Sequence, residues 1–97
     1  MTPTQLNKQI RDGEFFWVTD PDRPGLELQV QKARSQCFKN TDPEARIDAA
    51  TGRPLKRSGY VRVLTSRGWI RAATVRRAGS REQIDLFWEG VLTWAIN

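Results

Sequence analysis

The sequence contains no histidine and a single cysteine, Cys37. A catalytic triad or dyad built on histidine is therefore excluded, as is a zinc site of the Cys/His type. No disulfide can form within the chain, so nothing indicates an oxidising compartment, and Cys37 is interpreted as a small apolar residue. The carboxylates are scattered and suggest no paired-carboxylate site. We therefore expect a protein that is not an enzyme and has no catalytic residue, metal ion or cofactor.

Long apolar runs are also missing. No stretch approaches the length of a membrane span, and the N-terminus lacks the apolar segment of a secretory signal. These absences predict a cytoplasmic protein with no membrane partner. The 97 residues suffice for one small domain, residues 1–97. Four tryptophans, four phenylalanines and one tyrosine can supply enough apolar area for its core.

Acidic residues are absent between positions 53 and 81, where nine basic residues occur. They are Arg53, Lys56, Arg57, Arg62, Arg67, Arg71, Arg76, Arg77 and Arg81. Residues 1–52 hold seven basic and eight acidic residues, and residues 82–97 hold three acids and no base. Because like charges repel, this stretch favours a polyanionic partner, of which nucleic acid is the obvious one.

The start of the chain carries the signals of a short helix. Thr2 can cap it, Pro3 suits the first helical position, and Gln5 completes a capping box. Gly13 is placed to end it in a left-handed conformation. The pattern predicts a helix over residues 3–12.

The end of the chain predicts a longer helix. Ser80 and Gln83 form a second capping box, and apolar residues follow at helical spacing up to about residue 95. A second short helix is predicted between Asp42 and Gly52. The alternative for that region is a loop of about 20 residues, a length at which loops are usually functional or mobile.

Strand signals occupy the remaining segments. Aromatic and β-branched residues dominate 14–19, and apolar residues alternate with polar ones over 26–30, so these two segments predict an antiparallel pair. Residues 60–65 and 69–76 predict a hairpin around a turn at 66–68. The expected fold class is α+β: a small antiparallel sheet of about four strands in two hairpins. A short N-terminal helix and a C-terminal helix would pack on it.

The second hairpin indicates a candidate site. Pairing Leu64 with Trp69 places Arg62 directly opposite Arg71, on the face that also carries Tyr60. Arginines beside exposed aromatic rings can hold phosphates and stack bases. The predicted nucleic-acid-binding residues are Lys56, Arg57, Tyr60, Arg62, Arg67, Trp69, Arg71, Arg76 and Arg77. The alternative is that Arg62 and Arg71 each pair with an acid from elsewhere, such as Glu14, Glu27 or Asp85, while the C-terminal helix covers Tyr60 and Trp69.

Two functions from different classes fit these observations. The first is a small non-catalytic protein that binds DNA or RNA through the basic sheet face and its loops. The second is an adaptor or inhibitor, of the kind that accessory proteins of phages or mobile elements provide. It would dock on an acidic surface of a partner protein. Leu86, Gly90 and Trp94, spaced by four on the C-terminal helix, would anchor that partner or a second copy of the chain in a homodimer. The plain structural alternative is that a small core wraps this helix on two sides.

Overall fold

A computed structural model describes residues 1–39, 49–50, 52 and 59–90. The elements in chain order are α1 (Pro3–Arg11), β1 (Phe16–Asp20), β2 (Arg23–Gln29), β3 (Lys32–Cys37), β4 (Gly59–Thr65), β5 (Gly68–Arg71), β6 (Thr74–Arg77) and β7 (Gln83–Asp85). The strands form two antiparallel sheets, ordered β2-β1-β6-β7 and β3-β4-β5. The α+β class with a short N-terminal helix is confirmed. No helix in the described ranges is long and apolar enough to cross a membrane.

Helix α1 begins with the predicted capping box. Thr2 Oγ1 accepts the Gln5 N–H at 3.3 Å, and Gln5 Oε1 accepts the Thr2 N–H at 2.9 Å. One turn further, Asn7 bonds both backbone groups of Ala33 in β3, accepting its N–H at 2.7 Å and donating to its carbonyl at 3.0 Å. The helix thereby satisfies part of an outer strand edge that would otherwise be open to pairing with another chain.

The chain passes between the two sheets at two corners. At the first, Val30 N–H donates to Phe16 in one sheet, at 2.9 Å, and Gln31 N–H donates to Leu64 in the other, at 2.8 Å. The second corner lies at residues 72–73, between β5 and β6. Strands that switch sheets in this way bring two inner faces together around one core. The core residues are Leu6, Phe16, Val18, Leu28, Val30, Ala33, Val61, Val63, Ala72, Val75 and Leu86.

Both predicted hairpin pairings are confirmed, but the expected single four-stranded sheet is wrong. Val18 pairs with Leu28, and Leu64 pairs with Trp69. The predicted strand over residues 69–76 divides at the second corner, because its second half pairs with β1 rather than continuing along β4. Strand β3 was not predicted, since Lys32–Cys37 contains few apolar residues.

The predicted C-terminal helix is wrong over residues 80–90. Residues 83–85 form β7 instead, with Ile84 opposite Val75 of β6, and residues 86–90 form no helix. Ser80 Oγ accepts the N–H of Glu82 at 3.1 Å, so the hydroxyl stabilises a local turn rather than a helix start. Pairing with β6 outweighs the local helix pattern here. Residues 91–95 of the predicted helix, and most of the helix predicted between Asp42 and Gly52, lie outside the described residues.

Candidate nucleic-acid interface

Three arginines form a row across the sheet β3-β4-β5. Arg34 of β3 lies opposite Arg62 of β4, which lies opposite Arg71 of β5. Because neighbouring strands are about 4.8 Å apart, the three side chains leave the sheet close together. The outward-facing positions on either side of the row complete a surface that we call the basic face: Lys32, Arg34, Gln36, Tyr60, Arg62, Leu64, Trp69 and Arg71. None of the three strands contains an acidic residue.

Aromatic rings hold the cations of the basic face. The centroid of the Trp69 ring lies 4.9 Å from the Arg62 guanidinium carbon, 5.6 Å from Lys32 Nζ and 5.9 Å from the Arg34 guanidinium carbon. The Arg71 guanidinium carbon lies 4.5 Å from the Tyr60 ring centroid. A cation is attracted to the electron-rich face of a ring, so these contacts restrain side chains that would otherwise be mobile.

The centre of the row is only partly solvated. Arg34 and Arg71 are exposed, whereas Arg62, Tyr60 and Trp69 are half-buried. The rings are therefore neither free platforms nor core residues. Arg62 Nε is buried and has no hydrogen-bond partner within the described part of the chain. A buried donor without a partner costs about 1–3 kcal/mol.

The remaining described arginines among the predicted binding residues contact carboxylates. Arg67 Nη1 lies 2.7 Å from Asp20 Oδ2, and Asp20 is buried. Arg77 Nε lies 3.7 Å from Glu14 Oε2. Arg67 and Arg77 are therefore each paired with an acid. The alternative for Arg62 and Arg71, in which each pairs with an acid, stays a prediction.

Arg76 is held most firmly of the group. It donates to both carboxylate oxygens of Glu27, at 2.9 and 2.8 Å, and to the carbonyl of Ser80 at 2.8 Å. Hydrogen bonds from Arg76, reinforced by its charge, lower the pKa of the Glu27 carboxyl, and the same bonds raise the pKa of Arg76. Its hydrogen bonds to the Glu27 carboxylate make Arg76 a link between β6 and β2.

Some of the predicted site residues either lie outside the described part of the chain or occupy a different environment from the one expected. Lys56, Arg57 and Trp94 lie outside the described residues. Leu86 is buried in the core, and Gly90 is buried beside the Trp88 indole. The helix that would have aligned Leu86 and Gly90 is absent over residues 83–90, so their contact with a partner or a second copy stays a prediction without that geometry.

The two cations of the basic face that sequence reasoning missed are Lys32 and Arg34. Both depend on β3, which was not predicted. The sequence did contain a signal for this strand. In Lys32-Ala33-Arg34 the charged residues alternate with an apolar one, which is the pattern of a strand with one solvent-exposed face. Phe38, whose ring centroid lies 5.5 Å from that of Tyr60, was missed for the same reason.

The described residues offer little to a metal ion or a thiol reaction. Within residues 1–39 and 59–90, no three histidine, cysteine, aspartate or glutamate side chains come together as metal ligands would. Cys37 is half-buried, and burial raises the pKa of its thiol. A neutral thiol is a poor nucleophile.

No family model, curated protein or solved structure matches this chain. What can be said of its function therefore depends on the geometry of the basic face.

Proposed function

We propose that this protein binds nucleic acid, without catalysing a reaction on it, through the basic face of the sheet β3-β4-β5. The observation that carries the proposal is the row Arg34–Arg62–Arg71, in which three like charges are aligned across strands that contain no acidic residue. The rings of Trp69 and Tyr60 restrain these cations at the surface, which supports a role for the row that needs its positive charge.

The chemistry of the basic face suits a phosphodiester strand. Guanidinium groups present forked donors to phosphate oxygens, and Trp69 and Tyr60 pre-organise them. Contacts to phosphate give affinity without choosing a sequence, so the proposal includes DNA and RNA and predicts no sequence preference from the row itself.

Fluorescence anisotropy tests the proposal with labelled single-stranded and duplex DNA and RNA. We expect dissociation constants in the micromolar range or tighter. Neutralising about three phosphates should weaken binding about 20- to 40-fold between about 50 and 200 mM salt. The triple variant Arg34→Gln/Arg62→Gln/Arg71→Gln should lose most of this binding.

A matched control separates the row from net charge. Arg11, Arg23 and Arg81 are exposed and lie outside the basic face, so Arg11→Gln/Arg23→Gln/Arg81→Gln removes the same charge elsewhere. We expect the control to retain most of the affinity. Equal losses in both triple variants would show that only overall charge matters. No binding at low salt would overturn the proposal and leave the adaptor alternative, for which stoichiometric, heparin-resistant capture of an acidic protein is the test.

A further inference from the structure

A cleft of about 520 Å³ adjoins the basic face. One wall is the turn between β1 and β2, with Pro21 and Asp22, and the other is formed by Trp69, Ile70 and Arg71. Trp69 and Arg71 belong both to the cleft and to the basic face. A strand whose phosphates lie along the arginine row would therefore have the cleft within reach of its bases.

An ion pair fixes the shape of the cleft. The buried Asp20 carboxylate accepts the Asp22 N–H at 2.9 Å through Oδ1 and the Arg67 guanidinium at 2.7 Å through Oδ2. These contacts tie the β1–β2 turn to the β4–β5 turn, so the two walls are held together before any ligand binds. Unlike the Asp20 carboxylate, the Asp22 side chain is exposed, and its carboxylate accepts no hydrogen bond in the described part of the chain.

The lining of the cleft has the chemistry of a nucleobase site. Trp69, an aromatic residue, belongs to the lining, and Pro21 and Ile70 are apolar, a composition that suits stacking on a planar base. The Asp22 carboxylate accepts hydrogen bonds only, which favours a base that carries an exocyclic amino group. The volume falls within the range of about 300–1,000 Å³ that is usual for small-molecule sites.

We infer that the cleft takes one unpaired base of a strand held on the basic face, so that the ligand is single-stranded nucleic acid. This inference rests on the proposed function. The bases of a duplex are stacked and their edges are paired, so a duplex would have to unstack one base before the cleft could hold it.

The test compares short oligomers of equal length and charge: oligo-dC, oligo-dT and an abasic phosphodiester oligomer. For the natural protein we expect oligo-dC to bind at least about five-fold more tightly than the abasic oligomer. We also expect it to bind more tightly than oligo-dT, which lacks the amino group. Asp22→Asn should abolish the preference for dC over dT.

A cleft-filling variant locates the base. Asp22→Trp should lower the dC-to-abasic affinity ratio about three-fold or more. Asp12→Trp, the same change at an exposed acid outside the cleft, should leave the ratio unaltered. An unchanged ratio in Asp22→Trp, or equal binding of the dC and abasic oligomers by the natural protein, overturns the base site but leaves phosphate binding intact. Absence of binding to all three oligomers overturns the base site, and the proposed function falls with it if duplex DNA and RNA also fail to bind.

A measurement on the natural protein covers the case in which Asp22→Trp does not fold. NMR titration with oligo-dC should shift the backbone amides of Asp22 and Ile70, and the abasic oligomer should leave them in place. Shifts confined to the strand positions of Arg34 and Arg62 with both oligomers would place the ligand on the basic face alone and overturn the base site.

Discussion

Arg62 lies directly opposite Arg71 in the ladder between β4 and β5. Arg34 faces Arg62 from the other side, so the central arginine has a like charge on both flanks. Like charges that face each other on a sheet are destabilising, by roughly 0.2–1 kcal/mol for each pair. The alignment of the three charges therefore costs the folded chain stability, which the cation–π contacts with Trp69 and Tyr60 offset in part.

Replacing the central arginine should make the protein more stable. Arg62→Gln removes two like-charge contacts and the unpartnered Nε, and it keeps Lys32 and Arg34 over the Trp69 ring. The loss of one cation–π contact offsets part of the gain. In urea unfolding at low salt we expect the free energy of unfolding to rise by about 0.5 kcal/mol. The gain should shrink at about 1 M salt, where charges are screened.

The control for this prediction is Arg76→Gln. It removes an arginine that is hydrogen-bonded to Glu27, so it should lower stability under the same conditions. If Arg62→Gln is less stable than the natural protein at every salt concentration, repulsion within the row is not significant.

The contribution of the Glu27–Arg76 pair should depend on pH. Arg76 lowers the pKa of the Glu27 carboxyl in the folded protein, chiefly through its hydrogen bonds. The folded pKa thus lies below the unfolded value, and the stabilisation is complete only above that unfolded value of about 4.3. It is lost as the pH falls through the lowered folded pKa. NMR titration should find that the Glu27 pKa is higher in Arg76→Gln, and equal values in both proteins would contradict the prediction.

Local signals in the sequence predicted the elements that are stabilised by near neighbours. Two examples are the capping box at Thr2 and the hairpin turn at Gly68, whose φ is 88°. Each depends on residues that lie only a few positions apart in the sequence. The same register placed Arg62 opposite Arg71 and Tyr60 and Trp69 on one face. That part of the candidate site could be predicted from the sequence, because strand alternation fixes which side chains share a face.

The elements that were missed depend on distant residues. Strand β3 is polar, and its outer edge is satisfied at Ala33 by Asn7, 26 positions away. Strand β7 replaces a helix because β6 is available to pair with it. Such contacts leave little trace in local composition. Arg34 and the cleft beside Trp69 were missed with them, since each needs the packing of segments that are far apart in sequence.

Loss of the Asp20–Arg67 pair should destabilise the fold without acting through the arginine row. The Asp20 side chain is 2% exposed, so Arg67→Ala would leave a buried carboxylate without its cation. Because Arg67 itself is 41% exposed, we expect a cost of about 2 kcal/mol, below the range of fully buried pairs. Urea unfolding of Arg67→Ala, Asp20→Asn and the double variant measures the coupling, and strictly additive effects would show that the pair contributes nothing.

Trp88 packs between two glycines, and this packing makes Gly59 sensitive to substitution. A Cβ at Gly59, the first residue of β4, would meet the backbone oxygen of Gln36 and the Trp88 indole. Backbone cannot move aside as a flexible side chain can, so Gly59→Ala must shift either the β3–β4 pairing or the indole. We expect it to lower the free energy of unfolding by about 1–3 kcal/mol in urea.

The matched control is Gly25→Ala in β2. A Cβ there meets nothing within 4 Å. Alanine also restricts the unfolded chain more than glycine does, so this variant should be as stable as the natural protein or slightly more so. A Gly59→Ala variant as stable as Gly25→Ala would mean that Trp88 does not pack against the start of β4.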